Sequence, residues 1–175
     1  MLTPQSIATE CFYAAQGLAL VAAVIEFAAF RFRDNRRLFL YLIGSNSLIG
    51  THFLLLGQPI AAIGDVMAAI RFAVARRWQA AWLPWAFLAV PAFSTVLLYR
   101  IPIDLLPVIA GYFLIFGTYK ADPLAVRRYF LIGHGLWVVY DLFVYAFVMA
   151  VVELVAVAGN LYFLRRRAKH RSVAL

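Results

Sequence analysis

The arginines and lysines of this chain fall at every second gap between apolar runs. Arg31, Arg33, Arg36 and Arg37 follow the first run, Arg76 and Arg77 the third, Lys120, Arg127 and Arg128 the fifth, and Arg165, Arg166, Arg167, Lys169 and Arg171 the seventh. These fourteen of sixteen cations alternate with uncharged connections near Gln58 and Phe147 and with one that holds Arg100, while Arg71 lies inside the third run. Polytopic membrane proteins mark their cytoplasmic loops in this way. The pattern predicts an all-α membrane protein of seven transmembrane helices, with its N-terminus periplasmic and its C-terminus cytoplasmic.

Composition agrees. Of 175 residues, 65% are hydrophobic and 14% charged, and the mean hydropathy is +0.86. A soluble fold cannot hide that much apolar surface. At roughly 20 apolar residues per crossing the chain has length for about seven spans and no large extramembrane domain. The runs lie near 13–32, 38–56, 60–75, 80–99, 103–119, 126–146 and 148–164. The first lacks the basic leader and small-residue cleavage site of a signal peptide, so it reads as a retained helix. The net charge of +8 is then mostly topology. Nucleic acid is excluded as a partner because the cations line loops instead of forming a patch between stacking aromatics. The basic tail is suited to anionic lipid headgroups. A single cysteine, Cys11, excludes an intrachain disulfide and a zinc cluster.

Membrane carriers are often built from repeated helical units. Shifting residues 42–77 by 89 positions lays Leu42-Ile43-Gly44 on Leu131-Ile132-Gly133, Ala61 on Ala150, Val66 on Val155, Ala69 on Ala158 and Arg76-Arg77 on Arg165-Arg166, eight identities in 36. The expected organisation is a three-helix bundle over 1–77, a linker helix over 78–100, a second parallel three-helix bundle over 101–167 and a basic tail over 168–175. An odd linker is needed to keep the copies parallel.

Ionisable groups inside hydrocarbon cost several kcal/mol unless paired or hydrated, so each is a functional candidate. Counting residues from the helix ends sorts them into two layers, with apolar side chains between. His52, Asp65, Asp141 and Glu153 form an outer layer suited to gating or proton coupling; Glu26, Arg71, Asn160 and His134 form an inner layer suited to substrate binding. Arg71 offers a guanidinium fork for a carboxylate or phosphate, and the alternative is a packing salt bridge with Glu26. His52 beside Asp65 suits a proton relay, or a structural hydrogen bond. Trp137 suits stacking on a ring, or plain packing. Gly44, Ser45, Asn46, Ser47, Gly50 and Thr51 place small and polar residues along the second run, and Trp78, Trp82 and Trp85 suit an interfacial belt.

Several chemistries are absent. Lys120 and Lys169 lie outside the apolar runs, which excludes a retinal Schiff base. His52, His134 and His170 are too few for two membrane haems, and there is neither an H-E-x-x-H zinc motif nor a Gly-rich phosphate loop. The expectation is no enzyme, no cofactor and no metal.

The stretch Gly17–Gly57, with Phe32-Arg33-Asp34-Asn35-Arg36-Arg37 and His52-Phe53-Leu54-Leu55-Leu56-Gly57, followed by Ala69-Ile70-Arg71 and Leu105-Leu106-Pro107-Val108-Ile109, resembles the YgjV-type bacterial inner membrane proteins. The three-one-three pattern is also similar to SWEET sugar transporters and their half-sized relatives. The resemblance implies an inner membrane location and a pocket flanked by spans three and seven, where Arg71 and Asn160 stand. The expected function is alternating-access transport of a small polar or anionic solute. The rival is a non-transporting membrane protein that binds a lipid or protein partner. A homo-oligomer is compatible with either.

Overall fold

The computed structural model describes residues 9–29, 35–75, 77–78, 80–118, 120 and 122–172. Seven α-helices account for nearly all of them: α1 (Thr9–Ala29), α2 (Asn35–Leu55), α3 (Pro59–Ala75), α4 (Leu83–Leu98), α5 (Leu106–Thr118), α6 (Pro123–Phe143) and α7 (Phe147–Ser172). A short 3₁₀ turn, Pro102–Leu105, leads into α5. The described residues contain no strand. Each helix corresponds to one predicted run, most with ends displaced by a few residues. Helix α1 starts earlier than expected, and α7 continues into the basic tail as far as Ser172. Arg31, Arg33 and Arg76 lie outside the described residues.

Chain chemistry sets the boundaries. Asp122 caps α6 by accepting from the Leu124 and Ala125 amides at 3.1 Å, and Pro123 follows where a missing N–H costs nothing. Asp104 accepts from the Arg100 and Ile101 amides at 2.9 and 3.1 Å and so holds the 3₁₀ turn. Pro91 lies inside α4, where the carbonyl of Pro91 itself accepts from Ser94 and Thr95 hydroxyls at 2.8 and 2.9 Å. By length and hydropathy, residues 9–28 and 147–166 are each sufficient to cross a bilayer; the other helices are shorter or carry more charge. Much of the apolar surface faces outward, with Val96 and Leu97 78% and 68% exposed. That is the inverse of a soluble fold.

The helices form a ring. Helix α2 packs between α1 and α3, α6 packs between α5 and α7, and α1 against α7 and α3 against α5 close the circle. Helix α4 packs against both α3 and α5. Exchanging the bundles turns the α1–α7 contact into α5–α3, so the contact pattern obeys a pseudo-two-fold axis through the middle.

That axis corrects the register of the repeat. Helices α2 and α6 both hold 21 residues and begin 88 positions apart, at Asn35 and Pro123; α3 and α7 begin at Pro59 and Phe147, again 88 apart. The turns agree. Gly57 and Tyr145 take positive φ values of 69° and 61°, and the Gln58 and Ala146 amides each reach back five residues, to Phe53 and Asp141. The 89-residue register gains identities because apolar composition makes them cheap. One residue turns a helix by roughly 100° and would set every paired side chain on a different face.

Close approach within each bundle depends on small residues. Ala15, Ala19 and Ala22 on one face of α1 are fully buried, and Ser45 of α2 donates to the Ala22 carbonyl at 3.2 Å. Gly133 serves α5 and α6 similarly, since a Cβ there would lie 2.7 Å from the Leu114 side chain and 3.2 Å from the Ala110 carbonyl. Gly133→Ala is therefore expected to lower unfolding stability by about 1–3 kcal/mol through overpacking, whereas Gly135→Ala, with nothing within 4 Å, is expected to leave it unchanged or raised. Thermal unfolding of the two variants in detergent checks this, and equal losses would contradict it.

Candidate functional site

Inside the ring lies a cavity of about 370 Å³. Its walls come from both bundles. On α2 they are Phe39, Leu42, Asn46, Ile49 and Phe53, a spacing of three and four that puts them on one helix face. On α6 they are Phe130, His134, Trp137 and Asp141, which in the 88-residue register are the counterparts of Leu42, Asn46, Ile49 and Phe53. Asp65 of α3 and Glu153 of α7 are counterparts as well, and both line the cavity. Glu26 and Arg71 complete its ionisable wall, with Pro91 of α4 and Pro107 of α5 among the apolar remainder.

Seven of the nine residues singled out from sequence thus face one space: Glu26, Asp65, Arg71, His134, Trp137, Asp141 and Glu153. The two-layer expectation is corrected. His134, placed in one layer, is hydrogen-bonded through Nδ1 to the Glu153 carboxylate, placed in the other. Glu153 also lies within Coulombic range of Glu26, Asp65 and Asp141. Counting from separate helix ends split groups that sit at neighbouring depths on antiparallel helices. His134 is nine residues from the end of α6 and Glu153 six from the start of α7, a difference of roughly 4.5 Å that side chains span.

His52 and Asn160 stand outside the cavity lining. His52 is fully buried and donates its Nδ1–H to the Ala15 carbonyl of α1 at 2.8 Å, leaving Nε2 without a hydrogen-bond partner. It points toward α1 and makes no bond to Asp65. Asn160 accepts from the Arg127 guanidinium at 3.2 Å and donates to the Ala156 carbonyl at 2.8 Å, clasping α6 to α7 near the basic end. Arg127 also lies over the Phe163 ring. Arg71 lies over the Phe72 ring at 5.0 Å and shares the cavity with Glu26, while among the described residues the salt bridge formed there is His134–Glu153.

Asp141 is the most exceptional group. It is 1% exposed, and neither carboxylate oxygen has a hydrogen-bond partner. The Asp65 Oδ2 is also unpartnered. Beside Asp141, Phe53 and Trp137 stack at 5.7 Å, and Tyr140 meets Trp137 edge-on at 5.6 Å. Phe53 escaped the sequence reading as a site residue, and Asn46 entered it only among the small and polar residues of the second run; the signal available was the three-and-four spacing from Phe39 to Phe53.

The two ends of the cavity differ. Near the α2–α3 and α6–α7 turns Leu56, Tyr140 and Ala146 are buried, and neutral hydrogen bonds tie the bundles together. Gln16 of α1 donates to the Tyr145 carbonyl at 2.9 Å and accepts from the Val148 amide at 3.2 Å, and Tyr140 donates to Gln58 at 3.2 Å. Toward the basic end the lining continues to Glu26, Phe39, Arg71 and Phe72, within a turn or so of the helix termini.

A family model described as a bacterial inner membrane protein, Imp-YgjV, matches residues 13–171. Inner membrane protein YgjV of Escherichia coli K12 is 27% identical over 130 residues, covering 74% of this chain and 71% of that protein. No solved structure matches. The Gln16 ties generate a test that does not depend on any ligand. Gln16→Leu removes both bonds, and amide hydrogen exchange at Val148 is expected to accelerate at least about ten-fold, the equivalent of one hydrogen bond of roughly 1.4 kcal/mol; unchanged exchange would show that the ties do not hold the bundles.

Proposed function

The chain belongs to the YgjV-type bacterial inner membrane protein family, and from that premise we propose that it is a carrier moving a small polar solute across the inner membrane by alternating access. The observation that carries this reading is the unpartnered Asp141 carboxylate in a cavity walled by both bundles. A buried acceptor without a donor is costly, and a solute that supplies donors offsets the cost. On this reading the turn end is closed, with Gln16, Gln58 and Tyr140 as its gate. Rocking α1–α3 against α5–α7 would break those ties and bring the basic ends together, with Pro91 inside the linker helix α4 and Pro107 at the start of α5. Four carboxyl groups against Arg71 and His134 disfavour an anion, so the polar half of the expectation is kept and the anionic half set aside.

Of the groups first assigned to proton coupling, Asp65, Asp141 and Glu153 remain in that role, and His134 replaces His52 as the imidazole. An imidazole bonded to a carboxylate exchanges a proton without either group leaving the site. The alternating cations support seven crossings with a periplasmic N-terminus.

Two measurements test the reading. In proteoliposomes, a pH gradient is expected to stimulate uptake of a transported solute, and Glu153→Gln to abolish that stimulation while leaving solute counterflow; failure of every solute in a broad panel would sink the carrier and favour the lipid- or partner-binding rival. In intact spheroplasts, the exposed Cys11 is expected to react with a membrane-impermeant maleimide, and a cysteine introduced at Arg77 to react only after lysis. The reverse pattern would invert the topology.

A further inference from the structure

We propose that the cavity is a site for an organic ammonium ion with an apolar body, its charged head at Asp141 and Asp65 and its body against Trp137 and Phe53. The proposal deepens the carrier reading by naming the class of solute.

Hydrogen-bond satisfaction selects the head group. Asp141 presents two unpartnered oxygens and Asp65 one. Four donors that line or adjoin the cavity are engaged elsewhere: Asn46 with the Leu42 carbonyl at 2.8 Å, His134 with Glu153, Tyr140 with Gln58 and His52 with Ala15. What is missing is a species with donors and no acceptor, and an ammonium group is that species. A cation also favours the ionised form of carboxyl groups that, clustered as Glu26, Asp65, Asp141 and Glu153 are, disfavour one another's charge. A bare metal ion fits less well, because among the described residues no group of three or more His, Cys, Asp or Glu could hold one.

Shape supplies the apolar body. Trp137 and Asp141 lie four residues apart on the same face of α6, so a ligand whose charge meets Asp141 carries its next atoms along the Trp137 ring, with Phe53 beyond it at 5.7 Å. Aromatic faces attract cations as well as apolar groups. The volume of about 370 Å³ is at the small end of ligand pockets and admits a compact amine.

The test uses the full chain in detergent and a series that varies only the head group: 2-phenylethylamine, 2-phenylethanol and phenylacetate. The amine is expected to raise the unfolding temperature saturably and to give binding heat, while the alcohol and the acid bind at least ten-fold more weakly. Asp141→Asn is expected to weaken amine binding at least ten-fold, Asp65→Asn to weaken it less, and Glu10→Gln, on the exposed start of α1, to leave it unchanged. Unfolding of each unliganded variant is measured alongside. Should Asp141→Asn fail to fold, Asp65→Asn and the head-group series decide. Preference for phenylacetate, equal binding of amine and alcohol, absence of binding by all three, or full-strength amine binding by a folded Asp141→Asn would each overturn the proposal. Binding is read without flux, so amine binding with no uptake would sink the carrier alone, and uptake of other solutes with no amine binding would sink the ammonium site alone.

Discussion

Close packing of small side chains is the constraint on which the rest of the molecule depends. Ala15, Ala19 and Ala22 let α1 lie against α2, and Gly133 lets α6 lie against α5. Lipid chains are as apolar as the helix faces, so burial of hydrocarbon contributes little to association here and shape must hold the helices together. Because α2 and α6 are gripped closely on either side, each turns a further face inward, and the two faces meet around the cavity instead of collapsing on it.

Within that ring the stabilising interactions are distributed unevenly. The turn end combines buried aromatic packing with Gln16, Gln58 and Tyr140 hydrogen bonds between bundles. At the basic end, among the described residues, Arg127 ties α6 to α7 through Asn160 and lies over Phe163. The turn end thus carries neutral bonds across the bundles, and the basic end a cationic clasp inside one bundle.

Much of this was legible in the sequence, for identifiable reasons. Apolar runs bounded by cations located all seven helices, because charge at a helix end is tied to the position of the bilayer surface. Six of the nine residues singled out were ionisable groups in apolar runs that line the cavity, legible because such a group needs a reason to be there. The failures share a cause: sequence gives position along a helix more readily than rotation about it. Asp65 and Glu153 went unpaired because a shift of 89 collected more identities than the geometric 88. His52 and Asn160 were assigned to the site by depth, yet one points at Ala15 and the other at Arg127. The three-and-four spacing of Phe39, Leu42, Asn46, Ile49 and Phe53 carried the rotational information.

The register of 88 has a consequence for how the site sees a ligand. In a perfectly repeated molecule, any wall residue would face its own twin and the two ends of a bound molecule would meet identical surroundings. Here Asp65 keeps a carboxyl twin in Glu153, whereas Asn46 is matched by His134, Ile49 by Trp137 and Phe53 by Asp141. Divergence between the halves has therefore given the chamber a head and a tail, so that a guest has one preferred way round. Carrying both halves on one chain is what permits this, because one member of a twin can then differ without changing the other.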